Sequence, residues 1–376
     1  MPPIPRSRRF VLLGIAGLLL ALVGVLIFQR IRERDIILLG AALPLTGQNS
    51  QYGTVPRQAI ELALEQRRKT GYPYDVAVQY EDTQLKPSLA LTAVRKLIDV
   101  HHVPVIFGTA GSNETEVAGP IAQQNGVVLI SPSSTASGLS SIGDYFFRTI
   151  PTDTYEATFM ARFVYGRGVI RIAILAVNDT GTKSLADSFQ AEFTRLGGSV
   201  AKFILVSKDS NDLRTQITSL RSVSPQAAFV VGYASETGVF LRQASELGLG
   251  LPVYSAHPAE APEVRAIARE AAEGLVFSTP ANARDSEAGR RFFDAYQARY
   301  GQDPGEFAAE AYDSAMLVLD AIAAVGPTAA AIRDYLHRVR GYQGASGEIT
   351  FSLTGDVEKP FRVMIIRDGQ VKPFDE

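Results

Sequence analysis

The sequence predicts an α/β protein of two lobes with parallel sheets, preceded by one N-terminal apolar helix. Short apolar runs alternate with longer amphipathic stretches, the rhythm that a parallel sheet with crossover helices requires. The rhythm runs from residue 36, pauses at RTIPTDT (148–154) and starts again, which separates two units. At 376 residues, 46% hydrophobic and 20% charged, the chain is long and apolar enough for two cores.

The first element is the apolar run 10–28, free of charge and proline and preceded by Arg6, Arg8 and Arg9. As a helix it would cover about 28 Å, close to the hydrocarbon thickness of a bilayer. No small-residue cleavage site precedes Arg30, so residues 1–35 read as an uncleaved membrane anchor, with a cleaved signal peptide as the alternative. Either way the main body is expected outside the cytoplasm.

In the first unit the strand-like runs are IILLGAAL from Ile36, VAVQYE from Val76, VPVIFG from Val103 and VVLIS from Val127. Ala59, Ile60, Leu62, Ala63 and Leu64 stripe one intervening helix, and Leu89, Val94, Leu97 and Ile98 another. Pro87-Ser88 suits a helix start. In the second unit the strands are IRIAILAV (170–177), VAKFILV (200–206), AAFVVG (227–232), VYSA (253–256) and GLVFS (274–278). Leu185, Phe189 and Phe193 fit one helix between them, and Leu213, Ile217 and Leu220 the next. Helical stretches at 286–300 and 305–325 follow, then strand-like EITFSL (348–353). A final pair, FRVMIIR and VKPF, is joined by the hairpin signal Asp368-Gly369. The helical region at 286–343 is expected to return to the first lobe, which makes both domains discontinuous.

Composition excludes several functions. Lysine plus arginine number 37 against 39 acidic residues, so no field attracts a polyanion and no nucleic-acid partner is expected. The absence of cysteine excludes disulfides, thiolate nucleophiles, zinc-thiolate sites and a lipidated N-terminal cysteine. There is no G-x-S-x-G elbow, H-E-x-x-H pair, phosphate loop or G-x-G-x-x-G fingerprint. The four histidines show no metal-ligand spacing. No catalysis, metal or cofactor is expected.

What remains is polar residues placed just after strands, where open α/β sheets bind ligands. VPVIFG leads into Gly111 and Ser112, and VVLIS into Ser133, Ser134 and Thr135. Hydroxyls and free backbone N–H groups at neighbouring strand ends suit a carboxylate or amide oxygen. From the second unit, Tyr233 after AAFVVG and His257 after VYSA would close over it. Tyr52, in the loop after the first strand, would add an apolar wall.

The segments GAALPLTGQNSQYGT, IFGTAGSNETEVAGPIAQQNGVVLISPSST and FVVGYASETGVFLRQASELGL resemble the leucine/isoleucine/valine-binding protein family, the type I periplasmic solute-binding proteins of ABC transporters. The resemblance extends over nearly all of 36–370. It implies two Rossmann-like lobes joined by three interlobe crossovers, near 148–152, 277–281 and 344–348, that close on a solute. The first lobe would comprise 36–149 plus 281–345 and the second 150–280 plus 346–376. Ser112 and the turn Pro132–Thr135 fall on the family's carboxylate-binding side, Tyr233 and Tyr52 on its aromatic walls. Two positions depart from the pattern: His257 stands where amino-acid binders carry the acid that receives the α-ammonium, and Gly181-Thr182 stands where Tyr-Gly is usual. A neutral histidine accepts one hydrogen bond but offers an ammonium no charge, so amides, ureas and carboxylic acids enter as ligands beside amino acids. The missing tyrosine predicts a larger or wetter pocket.

The expected function is therefore an extracytoplasmic receptor that delivers a small polar solute to ABC permease subunits, held to the membrane by residues 10–28. A ligand-sensing ectodomain that reports to a separate membrane signalling partner is the alternative.

Overall fold

The computed structural model describes residues 36–281, 284 and 286–375. The expected anchor at 10–28 lies outside them. In the first lobe, β1 (Ile37–Leu43), α1 (Gln51–Lys69), β2 (Val76–Asp82), α2 (Pro87–Asp99), β3 (Val105–Gly108), α3 (Ser112–Gln124), β4 (Val128–Ser131) and β5 (Phe146–Arg148) follow in order. The second lobe continues with α4 (Asp153–Gly166), β6 (Arg171–Val177), α5 (Thr180–Arg195), β7 (Ser199–Val206), α6 (Arg214–Arg221), β8 (Ala227–Val231), α7 (Ala234–Glu246), β9 (Val253–Ser255), α8 (Pro262–Ala268) and β10 (Val276–Pro280). The chain then returns through α9 (Glu287–Tyr300), α10 (Ala308–Val325), α11 (Ala329–Leu336), β11 (Tyr342–Gly344) and β12 (Gly347–Ile349). It ends in the hairpin β13 (Phe361–Arg367) and β14 (Gln370–Pro373).

Period-two patterning explains the layers, because successive side chains of a strand point to opposite faces. Val105, Phe107, Val128 and Ile130 face one core together with α1, α9, α10 and α11, while Ile106 and Leu129 face the other with α2 and α3. The second lobe repeats this division. Ala173, Leu175 and Val177 pack with α6, α7 and α8, and Ile172, Ile174 and Ala176 with α4 and α5. Helix ends follow local chemistry. Pro87 opens α2, the Asp179 carboxylate accepts from Thr182 N at 3.1 Å ahead of α5, and Ser286 Oγ accepts from Gly289 N at 2.9 Å ahead of α9.

The first sheet has order β2-β1-β3-β4-β5, parallel throughout. The second repeats it as β7-β6-β8-β9-β10 and adds β13 and β14, which pair antiparallel at the far edge. The β13–β14 pairing is the hairpin expected at Asp368-Gly369, because a two-residue turn can only reverse a strand. In each lobe the order reverses beside the first strand. Such a switch point opens a crevice at the carboxyl ends of the flanking strands.

Two expectations need correction. EITFSL is strand only to Ile349, which pairs in a small ribbon with β11. Beyond it Phe351 turns into the first-lobe core against Phe147, ring centroids 5.2 Å apart, and Val357 joins the same core. The third crossing therefore falls between Val357 and Phe361, later than the expected 344–348. Apolar burial holds residues 346–357 to the first lobe.

Gly355 makes that path feasible. Its φ is +74°, and a Cβ there would stand 2.0 Å from Phe146 O, so a side chain fits neither the backbone angle nor the space.

Candidate functional site

The two switch points face each other, and the polar loops after their strands enclose one cavity. Ser112 opens α3 after β3, Ser133 and Thr135 follow β4, and Tyr52 lies in the first turn of α1 rather than in a loop. From the second lobe come Asp153 at the start of α4, Gly181 and Thr182 at the start of α5, Tyr233 after β8, and His257 after β9. The space measures about 50 Å³, room for a few waters on the usual scale. Four helices, α3, α4, α5 and α7, begin around it, and their N-terminal partial charges favour an anionic or carbonyl oxygen inside.

The structure brings Tyr52, Gly111, Ser112, Ser133, Thr135, Tyr233 and His257 to this one cavity. Ser134 turns away from it. Its hydroxyl donates to Thr109 O at 2.9 Å and meets Thr115 Oγ1 at 2.6 Å, so it ties the turn to the first lobe. Ser133 Oγ likewise donates to Ala110 O at 3.0 Å. Ser112 Oγ accepts from the backbone N–H groups of Thr135 and Ala136, both at 3.1 Å, and keeps its own O–H for the cavity. The oxygen-binding chemistry expected of the whole cluster thus concentrates on Ser112.

The turn is fixed from beneath by Arg148, whose side chain is fully buried. Its guanidinium donates to Asp356 Oδ1 at 2.6 Å, Ala136 O at 2.9 Å, Ser134 O at 3.2 Å and Ser140 Oγ at 2.7 Å.

His257 is not the neutral group expected from sequence. Glu156 accepts its backbone N–H at 2.8 Å and its Nδ1–H at 2.5 Å, and also accepts from Ser278 Oγ at 2.6 Å. Burial opposes a charge on the imidazole, but Glu156, with Glu306 and Asp153 behind it, overcomes that and raises the pKa to about 9. These carboxylates favour the charged ring, whose Nε2 is directed across the lobes to Glu306 Oε1 at 4.0 Å.

Sequence reasoning missed Asp153. It is 1% exposed, lines the cavity, and neither carboxylate oxygen has a hydrogen-bond partner among the described residues. Burial pushes its pKa up to about 7, against the pull of the nearby Thr135 and Ser184 hydroxyls, which stand close without hydrogen-bond geometry, and of His257. Phe307 was missed as well. Its backbone sits at φ +64° just before α10, an uncommon angle for a bulky residue, and this holds its ring near Tyr52 and His257, centroids 6.0 and 5.7 Å away. At Gly181, where the usual tyrosine is missing, the lobes approach each other closely. A Cβ on Gly181 would stand 3.1 Å from Ser112 Oγ.

The lobes are closed. Tyr52 Oη accepts from Ala234 N at 3.2 Å, and the two tyrosine rings, 52 and 233, stand 5.7 Å apart. Outside the cavity, Lys208 Nζ donates to Leu85 O at 2.8 Å and Thr180 Oγ1 to Glu116 Oε2 at 2.6 Å.

Comparison with known proteins agrees with this architecture. The Leu/Ile/Val-binding protein homolog 3 of Brucella melitensis is 26% identical over 345 residues, which cover 89% of this chain and 92% of that protein. The leucine-, isoleucine-, valine-, threonine- and alanine-binding protein of Pseudomonas aeruginosa is 27% identical over 330 residues, 86% and 88% of the two chains. Among solved structures, the leucine-binding protein LivK of Thermotoga maritima superposes with a TM-score of 0.85 at 28% identity, covering 90% of this chain and 98% of that one. The model of the periplasmic binding protein family matches residues 37–370. Two lobes of repeated topology and a match over that span place the chain in the periplasmic binding protein family, whose members are substrate-binding receptors of transporters and not enzymes.

Proposed function

We propose that the chain is the extracytoplasmic receptor of an ABC importer and that it closes around a small zwitterionic solute, an amino acid or a close relative. Asp153 carries this reading. A buried carboxylate without a partner is costly, and the cost is relieved when a ligand N–H or ammonium reaches it. Facing it in the same cavity, the Ser112 hydroxyl and the surrounding helix N-termini suit the solute's carboxylate or amide oxygen. Asp153 thus offers, from another element, the acidic partner that the sequence lacks at His257, which supports a solute with a free α-amino group. The two relatives, a Leu/Ile/Val-binding protein homolog and a leucine-, isoleucine-, valine-, threonine- and alanine-binding protein, support the same class. Residues 10–28 would hold the receptor near its permease subunits, where tethering raises local concentration.

Thermal-shift screening of the purified chain tests the proposal. Neutral amino acids are expected to raise the unfolding midpoint, since a ligand that binds only the folded state must do so. No shift with any amino acid or amide would overturn it. Ser112→Ala is expected to weaken binding by about tenfold. It should also lower stability by about 1–3 kcal/mol, because it strands the buried N–H groups of Thr135 and Ala136. Calorimetric titration and denaturant unfolding measure the two effects separately.

A further inference from the structure

We propose that a second chamber, across the wall formed by His257 and Phe307, is an acidic subsite that receives a basic group at the far end of the solute: an amine, amidine or guanidine held by Glu306. The inference rests on the reading of the first cavity as the seat of an amino-acid head. His257 and Phe307 line both spaces, and their rings, in contact at 5.7 Å between centroids, must part for a side chain to reach from one to the other. The chamber measures about 500 Å³ and lies between the lobes, with Glu306 and Glu310 on the first-lobe side and Glu260 on the second.

The three carboxylates are not equivalent. Glu260 Oε2 accepts from Thr279 Oγ1 at 2.5 Å, and Glu310 lies close enough to the buried Lys359 to be stabilised by its charge. Glu306 has only His257, which faces it across the lobes and pulls against the burial that raises its carboxyl. Its side chain is 8% exposed, neither oxygen has a hydrogen-bond partner among the described residues, and its contact with His257 Nε2, at 4.0 Å, is too long for a hydrogen bond. Burial holds its carboxyl above the usual range, and Glu260, Glu156 and Glu310 push in the same direction.

Two of the chamber's own cations are directed elsewhere: Arg265 donates to Glu260 O at 3.3 Å and Arg284 reaches Asp303 Oδ2 at 3.3 Å. Arg362, on the second-lobe side, has a buried Nε with no hydrogen-bond partner among the described residues. A guest cation would therefore supply the partner that Glu306 lacks. A charge-assisted bond to a buried carboxylate discriminates against a neutral group of the same shape.

Arginine and citrulline share the α-amino-acid head and differ at the far end in charge, so their ratio of affinities isolates the subsite. Titrated against the full-length chain, arginine is expected to bind at least about tenfold more tightly than citrulline. Glu306→Gln should bring the ratio to within about threefold of one, and continued citrulline binding shows that the variant is folded. A ratio near one in the parent chain overturns the subsite whether or not the variant folds. A large ratio that survives Glu306→Gln overturns Glu306 as the receptor. If leucine binds while arginine and citrulline do not, the chamber is closed to side chains and the proposal fails alone. If no α-amino acid binds, the reading of the first cavity fails and this one falls with it.

Discussion

Arg148→Met is expected to lower the free energy of unfolding by about 3–5 kcal/mol, the usual cost of breaking a buried charged network by removing one partner. Methionine matches the length of the arginine stem but returns none of its N–H donors. The change would strand Asp356, two backbone carbonyls and Ser140 Oγ at once. A fall in denaturant midpoint at unchanged slope would show that stability, and not the extent of unfolding, has changed. Two of those carbonyls belong to Ser134 and Ala136, on either side of Thr135. The variant should therefore also bind solute more weakly, and Arg148→Lys should recover only part of either loss because an ammonium cannot span the fork of acceptors. If Arg148→Met unfolds with the parent's midpoint, the guanidinium is not what secures the turn.

Asp153→Asn is expected to weaken binding of a zwitterionic amino acid by about a hundredfold, within the range for removing one member of a buried charge pair. The affinity of the parent chain should change with pH in a defined direction. With the Asp153 pKa raised to about 7, the empty site is mostly protonated below that pH. A solute ammonium must displace the proton, so affinity should rise up to tenfold per pH unit towards pH 7 and level off above it. The asparagine variant should lose that slope.

Stability moves the opposite way. A carboxyl whose folded pKa exceeds its unfolded value of about 4 holds more protons when folded. Its contribution is complete below about pH 4 and is lost as pH rises towards 7. Without solute at pH 8, Asp153→Asn should therefore melt above the parent chain, the opposite of its effect on binding. Calorimetric titration across pH 5–8 and melting curves at pH 8 check both. Parent and variant binding equally at pH 8 would remove Asp153 from the site.

The layered α/β plan was legible because strand runs such as VPVIFG and helix stripes such as Leu185, Phe189 and Phe193 each satisfy one period and fail the other. EITFSL misled because alternation is necessary for a strand but not sufficient. Phe351 found a buried position against Phe147 without a neighbouring strand to pair with. Strand-end placement located Ser112, Thr135, Tyr52 and Tyr233 at one cavity because the topology fixes where strand ends go. It could not tell Ser133 and Ser134, spent on backbone carbonyls, from a hydroxyl left free, since that depends on which atoms the folded turn brings within reach.

Asp153 was invisible for a different reason. An acid in the first turn of a helix is the ordinary complement to the helix dipole, and only the absence of any partner in a buried cavity marks it. The charge on His257 was equally hidden, because Glu156 lies 101 positions away in sequence. Phe307 stands inside a stretch, 305–325, that reads as uninterrupted helix, yet α10 begins only at Ala308.

Lys208, Thr180 and Glu116 join the lobes without lining the cavity, Lys208 through the backbone carbonyl of Leu85 and Thr180 through Glu116. A solute makes no contact with them, so they contribute equally whichever solute is bound. They help to set the fraction of empty receptor already shut, and apparent affinity scales with that fraction. Mutations at these three residues should consequently raise or lower the affinity for every solute by one common factor and leave their order of preference unchanged. The fold thus holds two separate adjustments, one at the rim for how tightly the receptor binds and one in the cavity for what it chooses.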